Sequence, residues 1–239
     1  MPRFAVYYIP KADDDFYRLG TSIIGYSVRS GKHIQIAEEI KNHLKGFSQE
    51  WVNVAQLYGF HLTIGCPIDF NFGELLSIEH EIDDILKCFN PEHQFTLSQS
   101  KDDFIHVGTG IYLRYEPNQH FRILHTLVLA LAQKYGTGSF YVERYYNNRD
   151  QYDGKPYMAN RILKFYNYPY VLDDWSPHFT LLNRCDEESP QDIVRFLSER
   201  FNRFEHITVD TISLLIQMKD GENWRICKEF TRELPKVCS

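Results

Sequence analysis

The stretch YGFHLTIGCP, residues 58–67, combines the branched and aromatic residues of a buried strand with two polar side chains. Residues i and i+2 of a strand point to the same face, so His61 and Thr63 share one face. Leu62 and Ile64 share the other face and can pack in a core. An imidazole and a hydroxyl therefore stand side by side on a strand that otherwise looks structural.

A second stretch repeats this pattern in the other half of the chain. In SPHFTLL, residues 176–182, His178 and Thr180 are two residues apart within another predicted strand. Each stretch is followed by an amphipathic helix and two more strands. We therefore expect two similar lobes related by a pseudo-twofold axis, with the two His–Thr faces meeting across one cleft.

A single His-x-Thr pattern is weak in a chain that has 10 histidines. A third copy, His206-Ile-Thr208, has no symmetric partner, and we interpret His206 as a surface residue entering a strand. Taken alone, each copy favours a structural role. The occurrence of two copies at equivalent positions favours a functional role for that pair.

Two histidines and two threonines in one cleft suit acid–base chemistry on a phosphodiester. A neutral histidine takes a proton from the attacking water or hydroxyl, and a protonated one gives a proton to the leaving oxygen. Histidine suits both roles because its unperturbed pKa is about 6.5. The threonine hydroxyls would donate hydrogen bonds to the phosphoryl oxygens, and this scheme requires no metal or other cofactor.

Composition narrows the class of protein. The 239 residues, 43% of them hydrophobic, can bury the core of one large domain or two small lobes. A formal net charge of −6 provides no global basic field for long duplex nucleic acid, whereas a small phosphorylated substrate, a nucleotide or an RNA end needs only local positive charge.

Location is predicted from the apolar runs and the cysteines. No run approaches the roughly 18 apolar residues of a membrane span, and the opening MPRFAVYYIPKADDD does not have the pattern of a signal peptide. Five cysteines without a CxxC pair fit a reduced protein. We expect a cytoplasmic protein without a membrane partner.

Predicted strands and helices alternate through the chain, which is typical of α/β or α+β proteins. We expect one bilobal domain over residues 1–239, with lobe motifs centred on 58–67 and 175–185. The predicted helices cover 13–25, 33–47, 72–89, 120–135 and 189–201. The predicted strands cover 3–10, 58–67, 93–100, 108–117, 175–185, 206–219 and 224–234, the last two joined by a turn at 220–223.

A tyrosine-rich insert at about 139–170 breaks this alternation. Its rings either cover a helix or hairpin, or lie near the cleft and stack on a base or sugar. Tyr168, Tyr170 and Trp175 come just before the second motif and are possible substrate-binding residues. Basic side chains that could supply local positive charge are Arg144, Arg149, Lys155, Arg161 and Lys164.

Other candidates for chemistry are weaker. Cys66 lies near His61, but a small buried residue is the better interpretation than a nucleophile. No P-loop, GxGxxG, HExxH or GxSxG motif occurs. Surface or packing roles are favoured for His33, His43, His80, His93, His106, His120 and His125.

The paired motifs FHLTI (60–64) and PHFTL (177–181) resemble the signature of the two-histidine phosphoesterase superfamily. One branch of that superfamily is linked to bacterial phosphonate-utilisation genes, and the resemblance to it covers nearly the whole chain. The stretches that carry this closer resemblance are RFAVYYIP (3–10), LGTSIIG (19–25), YGFHLTIGCP (58–67) and YNYPYVLDDWSPHFTLL (166–182).

The resemblance implies an α+β fold with two pseudo-twofold-related lobes of antiparallel sheet and helices around a central cleft. His61 and His178 would be the acid–base pair, and Thr63 and Thr180 the phosphate binders. It also implies metal-independent hydrolysis of a small cyclic phosphodiester, such as a ribosyl or nucleotide cyclic phosphate.

Two alternatives stay open at this point. One is an RNA-end 2′,3′-cyclic phosphodiesterase or ligase-like enzyme, against which the acidic net charge argues mildly. The other is a non-catalytic nucleotide-binding module, against which the two intact His–Thr pairs argue, because binding alone does not need two titratable rings.

Overall fold

The computed structural model describes residues 1–43, 47–107, 110–138, 171–184 and 191–232. These residues form a mixed α/β architecture of one large antiparallel sheet with helices packed on it. The helices are α1 (Asp15–Ile24), α2 (Glu38–His43), α3 (Asn53–Tyr58), α4 (Leu75–Lys87), α5 (Gln119–Tyr135) and α6 (Gln191–Phe201).

The strands lie in two sheets. The first strands along the chain are β1 (Arg3–Tyr8), β2 (Tyr26–Ser27), β3 (Lys32–His33), β4 (Leu62–Phe70), β5 (Phe95–Gln99) and β6 (Ile105–Val107). The later ones are β7 (Ile111–Pro117), β8 (Gly136–Gly138), β9 (His178–Leu182), β10 (His206–Val209), β11 (Thr211–Gln217) and β12 (Arg225–Thr231).

The order of strands puts the two motifs next to each other. The main sheet runs β10-β5-β7-β9-β4-β1-β11-β12, with β6 on β7 and β8 on β4, while β2 and β3 form a separate hairpin. Neighbouring strands are antiparallel throughout the described part of the sheet. The motif strands β4 and β9 are therefore adjacent and central, with β1 and β7 on their outer sides.

One face of the central strands is packed in the core. Leu62 and Phe179 are fully buried there, and the ring of Phe16 from α1 meets Phe179 edge-on at 4.9 Å. Helix α5 packs on β4, where Val128 comes so close to Gly65 that a Cβ at Gly65 would lie 2.5 Å from it. Glycine at 65 is thus required by the close approach of helix and strand.

Several elements follow the predicted pattern because their boundary signals are local. Asp14 caps α1 by accepting a hydrogen bond from the backbone N–H of Phe16, and α5 ends at Gly136 as predicted. The turn between β11 and β12 contains Gly221 at φ 80°, which favours glycine. No helix in the described ranges is long and apolar enough to cross a membrane.

Three predicted elements were wrong in extent. Residues 33–47 do not form one helix, because a turn with Gly31 at φ 65° pairs β3 with β2, and among the described residues 33–43 and 47 only α2 is helical. Residues 58–67 are not all strand, because α3 runs to Tyr58 and Gly59, at φ 74°, ends it. Residues 206–219 split at Asp210, with β10 beside β5 and β11 beside β1.

Candidate active site

One residue pair, Leu62 with Phe179, joins the two motif strands in the described ladder. Both side chains are fully buried on the core face, so the residues on either side of them point to the opposite face. Antiparallel pairing then sets each histidine across from the other strand's threonine. The four half-buried side chains brought together on this face are those of His61, Thr63, His178 and Thr180.

The two histidine rings are held in the same way. Nδ1 of His61 lies 2.8 Å from the carbonyl oxygen of Gly59, and Nδ1 of His178 lies 2.8 Å from that of Ser176. A carbonyl oxygen only accepts, so Nδ1 carries the hydrogen and Nε2 of the neutral ring is the proton acceptor. Nε2 of His61 is also 3.3 Å from the hydroxyl of Thr63, which can donate to it.

Both rings favour the neutral form. Burial lowers the pKa of His61 to about 4, and the nearby His178 acts in the same direction, while the hydrogen bond to Gly59 opposes it. Burial also lowers the pKa of His178, and the nearby Arg114 and His106 act in the same direction. A phosphate anion between the rings would favour the protonated form of either one.

The basic neighbours of His178 come from residues that sequence reasoning did not select. Arg114 on β7 is the cross-strand partner of His178. Arg114 forms an ion pair with Asp103, whose carboxylate also lies 2.8 Å from Nδ1 of His106. The sequence predicted that residues 108–117 form a strand, but it did not predict that this strand, β7, pairs with β9.

Aromatic rings surround His61, and these were also missed. Tyr7 of β1 stacks on the His61 ring with centroids 4.0 Å apart and planes at 21°. Tyr58, at the end of α3, lies at 5.8 Å from His61 and stacks in turn on Trp224. His178 instead meets the ring of Tyr112 edge-on at 5.2 Å.

Trp175 supports β4 from the core. Its side chain is 7% exposed, its indole N–H donates to the carbonyl of Thr63, and its ring stacks on His125 at 4.0 Å. Burial lowers the pKa of His125 to about 4, and its Nδ1 lies 2.6 Å from the carbonyl oxygen of Ile64. The observed contacts of Trp175 are structural, and substrate contact by it stays a prediction.

Two other predicted substrate-binding residues, Tyr168 and Tyr170, lie outside the described residues, as does the insert at 139–170 with its basic side chains. Within the described ranges, no group of three or more His, Cys, Asp or Glu is placed to hold a metal ion. Of the predicted site residues, the structure describes the four motif residues and Trp175.

The weaker candidates behave as interpreted. His206 is exposed on β10, an edge strand, and its ring contacts the hydroxyl of Ser98 at 3.1 Å. Cys66 is buried, and burial raises the pKa of its thiol to about 12. A thiol with so high a pKa holds its proton at neutral pH, which argues against a nucleophile.

Comparison with known proteins shows only weak similarity between this chain and other proteins. A family model described as "Protein of unknown function (DUF1045)" matches residues 147–225, about a third of the chain, including the second motif but not the first. No curated protein matches the chain.

Two solved structures, of Usb1 from Kluyveromyces marxianus and of the same protein with uridine monophosphate, are 10% and 9% identical to this chain. Each alignment covers 98% of this chain and 98% of the other, with a TM-score of 0.42. A likeness this weak does not bear on the function of this chain, which has to be inferred from the site.

Proposed function

We propose that this chain is a phosphodiesterase that hydrolyses a small cyclic phosphodiester through acid–base catalysis by His61 and His178. One observation carries the proposal: two His-x-Thr motifs lie on adjacent antiparallel strands and face the same side. In both motifs a backbone carbonyl two residues upstream holds Nδ1, so that Nε2 is the atom available for proton transfer. The scheme assigns no step to a metal.

The chemistry balances with these residues alone. The neutral histidine takes a proton from water as the water oxygen bonds to phosphorus. The protonated histidine gives its proton to the ester oxygen as the P–O bond breaks, which opens the ring and leaves a phosphomonoester. Thr63 and Thr180 donate hydrogen bonds to the non-bridging oxygens, and each acid or base is worth roughly 10²–10⁴ in rate.

The substrate class is inferred from the sequence resemblance. A ribosyl or nucleotide cyclic phosphate would lie over the face that the two motifs share, within reach of both histidines. Membership of the phosphonate-utilisation branch and a cytoplasmic location rest on the sequence alone. Both belong to this proposal.

A screen of cyclic phosphodiesters tests the proposal. Wild type, His61→Ala and His178→Ala would be incubated with 2′,3′-cyclic nucleotides, ribosyl cyclic phosphates and short RNAs ending in a cyclic phosphate. His206→Ala is the matched control, because His206 stands in a third His-x-Thr pattern but is exposed on an edge strand. We expect hydrolysis by wild type and His206→Ala, and its loss in the other two variants.

Other results would redirect the assignment. Full turnover in both His61→Ala and His178→Ala would overturn it. Tight nucleotide binding without any product would indicate a binding module. A preference for oligonucleotides that falls steeply with salt would indicate an RNA-end enzyme.

A further inference from the structure

Two tyrosines occupy matched positions beside the two motifs. Tyr7 on β1 is the cross-strand partner of Thr63, and Tyr112 on β7 is the cross-strand partner of Thr180. Strands β1 and β7 flank the central pair on opposite sides. Each half of the site thus consists of a threonine, the histidine two residues before it, and a tyrosine from the outer neighbouring strand.

The match extends to the irregularities of the sheet. Val6 pairs with Gly65 and Tyr7 with Thr63, so Ile64 is left without a partner in β1. Ile111 pairs with Leu182 and Tyr112 with Thr180, which likewise leaves one residue of β9 unpaired with β7.

That residue of β9 is Leu181, so each motif threonine is followed directly by a β-bulge. Such bulges re-aim side chains. Tyr8, the next residue of β1, packs on the core face against Phe179, so strand alternation points Tyr7 to the opposite face. Leu113 likewise pairs with the buried Phe179, so Tyr112 points away from the core, and both tyrosines lie on the face that carries the histidines.

Each tyrosine ring touches its histidine. Tyr7 is 1% exposed and stacks on His61 at 4.0 Å, whereas the half-buried Tyr112 meets His178 edge-on at 5.2 Å, with an angle of 84° between the planes. Both arrangements are favourable between aromatic rings. A hydrogen bond at Nδ1 fixes one atom of an imidazole, and a neighbouring ring restrains its plane.

We propose that Tyr7 and Tyr112 are positioning residues, one for each histidine, which hold the imidazole planes so that Nε2 faces the phosphorus. Their catalytic effect rests on the function proposed above, but their effect on the rings does not. The restraint acts through contact between the rings, so it needs the aromatic ring and not the hydroxyl. Phenylalanine should therefore replace either tyrosine, and leucine should not.

The surroundings of each ring define the experiment. His61 is faced by Tyr7, by Tyr58 from α3 and by His178 from β9. The groups that face His178 are Tyr112, Arg114 and His106, the last two bound to Asp103. Tyr7 lies against His61, whereas Tyr112 lies against His178 and also 6.1 Å from the ring of His106, so removal of either tyrosine should act on the histidine of its own motif and leave the other motif histidine unchanged.

The test combines kinetics with NMR titration of the imidazole rings in Tyr7→Phe, Tyr7→Leu, Tyr112→Phe and Tyr112→Leu. We expect both phenylalanine variants to match wild type. The leucine variants should lose roughly 10–100-fold in kcat with a smaller change in KM, since a misplaced reacting group costs rate. In Tyr7→Leu the pKa of His61 should rise from about 4 toward its usual value, with His178 unchanged.

Tyr8→Leu is the matched control. Tyr8 is the next residue of β1, is 3% exposed, and packs on the core face against Phe179. The Tyr8→Leu substitution should lower the melting temperature without changing the titration of His61 or His178.

Opposite results separate the two proposals. If both leucine variants keep the wild-type titration and kcat while His61→Ala abolishes hydrolysis, the positioning role is wrong and the catalytic role stands. If no phosphodiester is hydrolysed but the leucine variants still shift their own histidine, the positioning role stands and the function is wrong. Should Tyr7→Leu not fold, Tyr112→Leu at the half-buried position decides the matter at His178.

Discussion

Leu62 and Phe179 pair across the two central strands, and this one pair brings the two histidines onto a common face. Both side chains are fully buried, so the register cannot slip by one residue without turning them to the polar face. The apolar residues inside the two motifs thus hold the polar ones in position. Packing and the chemistry that we propose depend on the same two short segments.

The histidine pair should act as a unit. We expect His61→Ala and His178→Ala each to lower kcat by roughly 10²–10⁴, and the double variant to lose little more than the worse single one. Single-turnover kinetics on the best substrate of the screen would measure this. If the fold-loss in kcat of the double variant equalled the product of the two single losses, the two histidines would not act in the same step.

The threonine hydroxyls should contribute to phosphate binding. Thr63→Val and Thr180→Val keep the branched shape of the strand but remove the donor, so affinity for a phosphate-containing product should fall by roughly 10-fold each. Thr63→Ser and Thr180→Ser, which keep the hydroxyl, should stay near wild type. Calorimetric titration with the product checks this, and equal affinity in the valine variants would remove the threonines from the site.

Activity should be highest on the acid side of neutrality. Burial lowers the pKa of both histidines, so the protonated acid is lost from the free enzyme as pH rises even below the usual histidine range. The neutral histidine that acts as the base is lost only as pH falls through the lower of the two histidine pKa values. A profile of kcat/KM, which reports the free enzyme, should therefore decline toward pH 7. An optimum well above pH 7 would contradict this.

His125 should make stability depend on pH. Its pKa is about 4 in the folded protein and about 6.5 in the unfolded chain, so the unfolded state binds more protons between these values. Stability is then full above about pH 6.5 and is lost as pH falls toward 4, by up to about 3 kcal/mol from this residue. Urea unfolding should show that the free energy of unfolding falls less between pH 7 and pH 5 in His125→Gln than in wild type.

Hydrolysis should persist after chelation. The proposed scheme moves protons only through histidine and water, so EDTA treatment followed by desalting should leave kcat within about 2-fold. Added Mg²⁺ or Zn²⁺ should not raise it. A loss on chelation that one metal restores would show that the scheme is incomplete.

Much of the candidate site could be proposed from the sequence because its pattern is local. The alternation His61, Leu62, Thr63, Ile64 shows which side chains share a face, and the repetition at His178 singles out two copies from three. The elements with clear caps or long periodicity, such as α1 and α5, were predicted for the same reason.

The neighbours of the motifs could not be predicted because they depend on strand order. Tyr7 and Arg114 appear in the sequence as ordinary strand residues, and His125 as an ordinary helix residue. Their contacts require β1 and β7 to flank β4 and β9, and α5 to pack on β4. Such pairings join residues far apart in the chain, and no short-range pattern specifies them.

By itself, the sequence determined that the chain carries two matched His–Thr faces on strands whose other faces are apolar, because side-chain direction in a strand alternates with every residue. Only the tertiary structure decided that these strands are neighbours and that a bulge follows each threonine. It also decided which rings and charges surround each histidine. Those features arise from long-range pairing and burial, and burial is what keeps both imidazoles neutral.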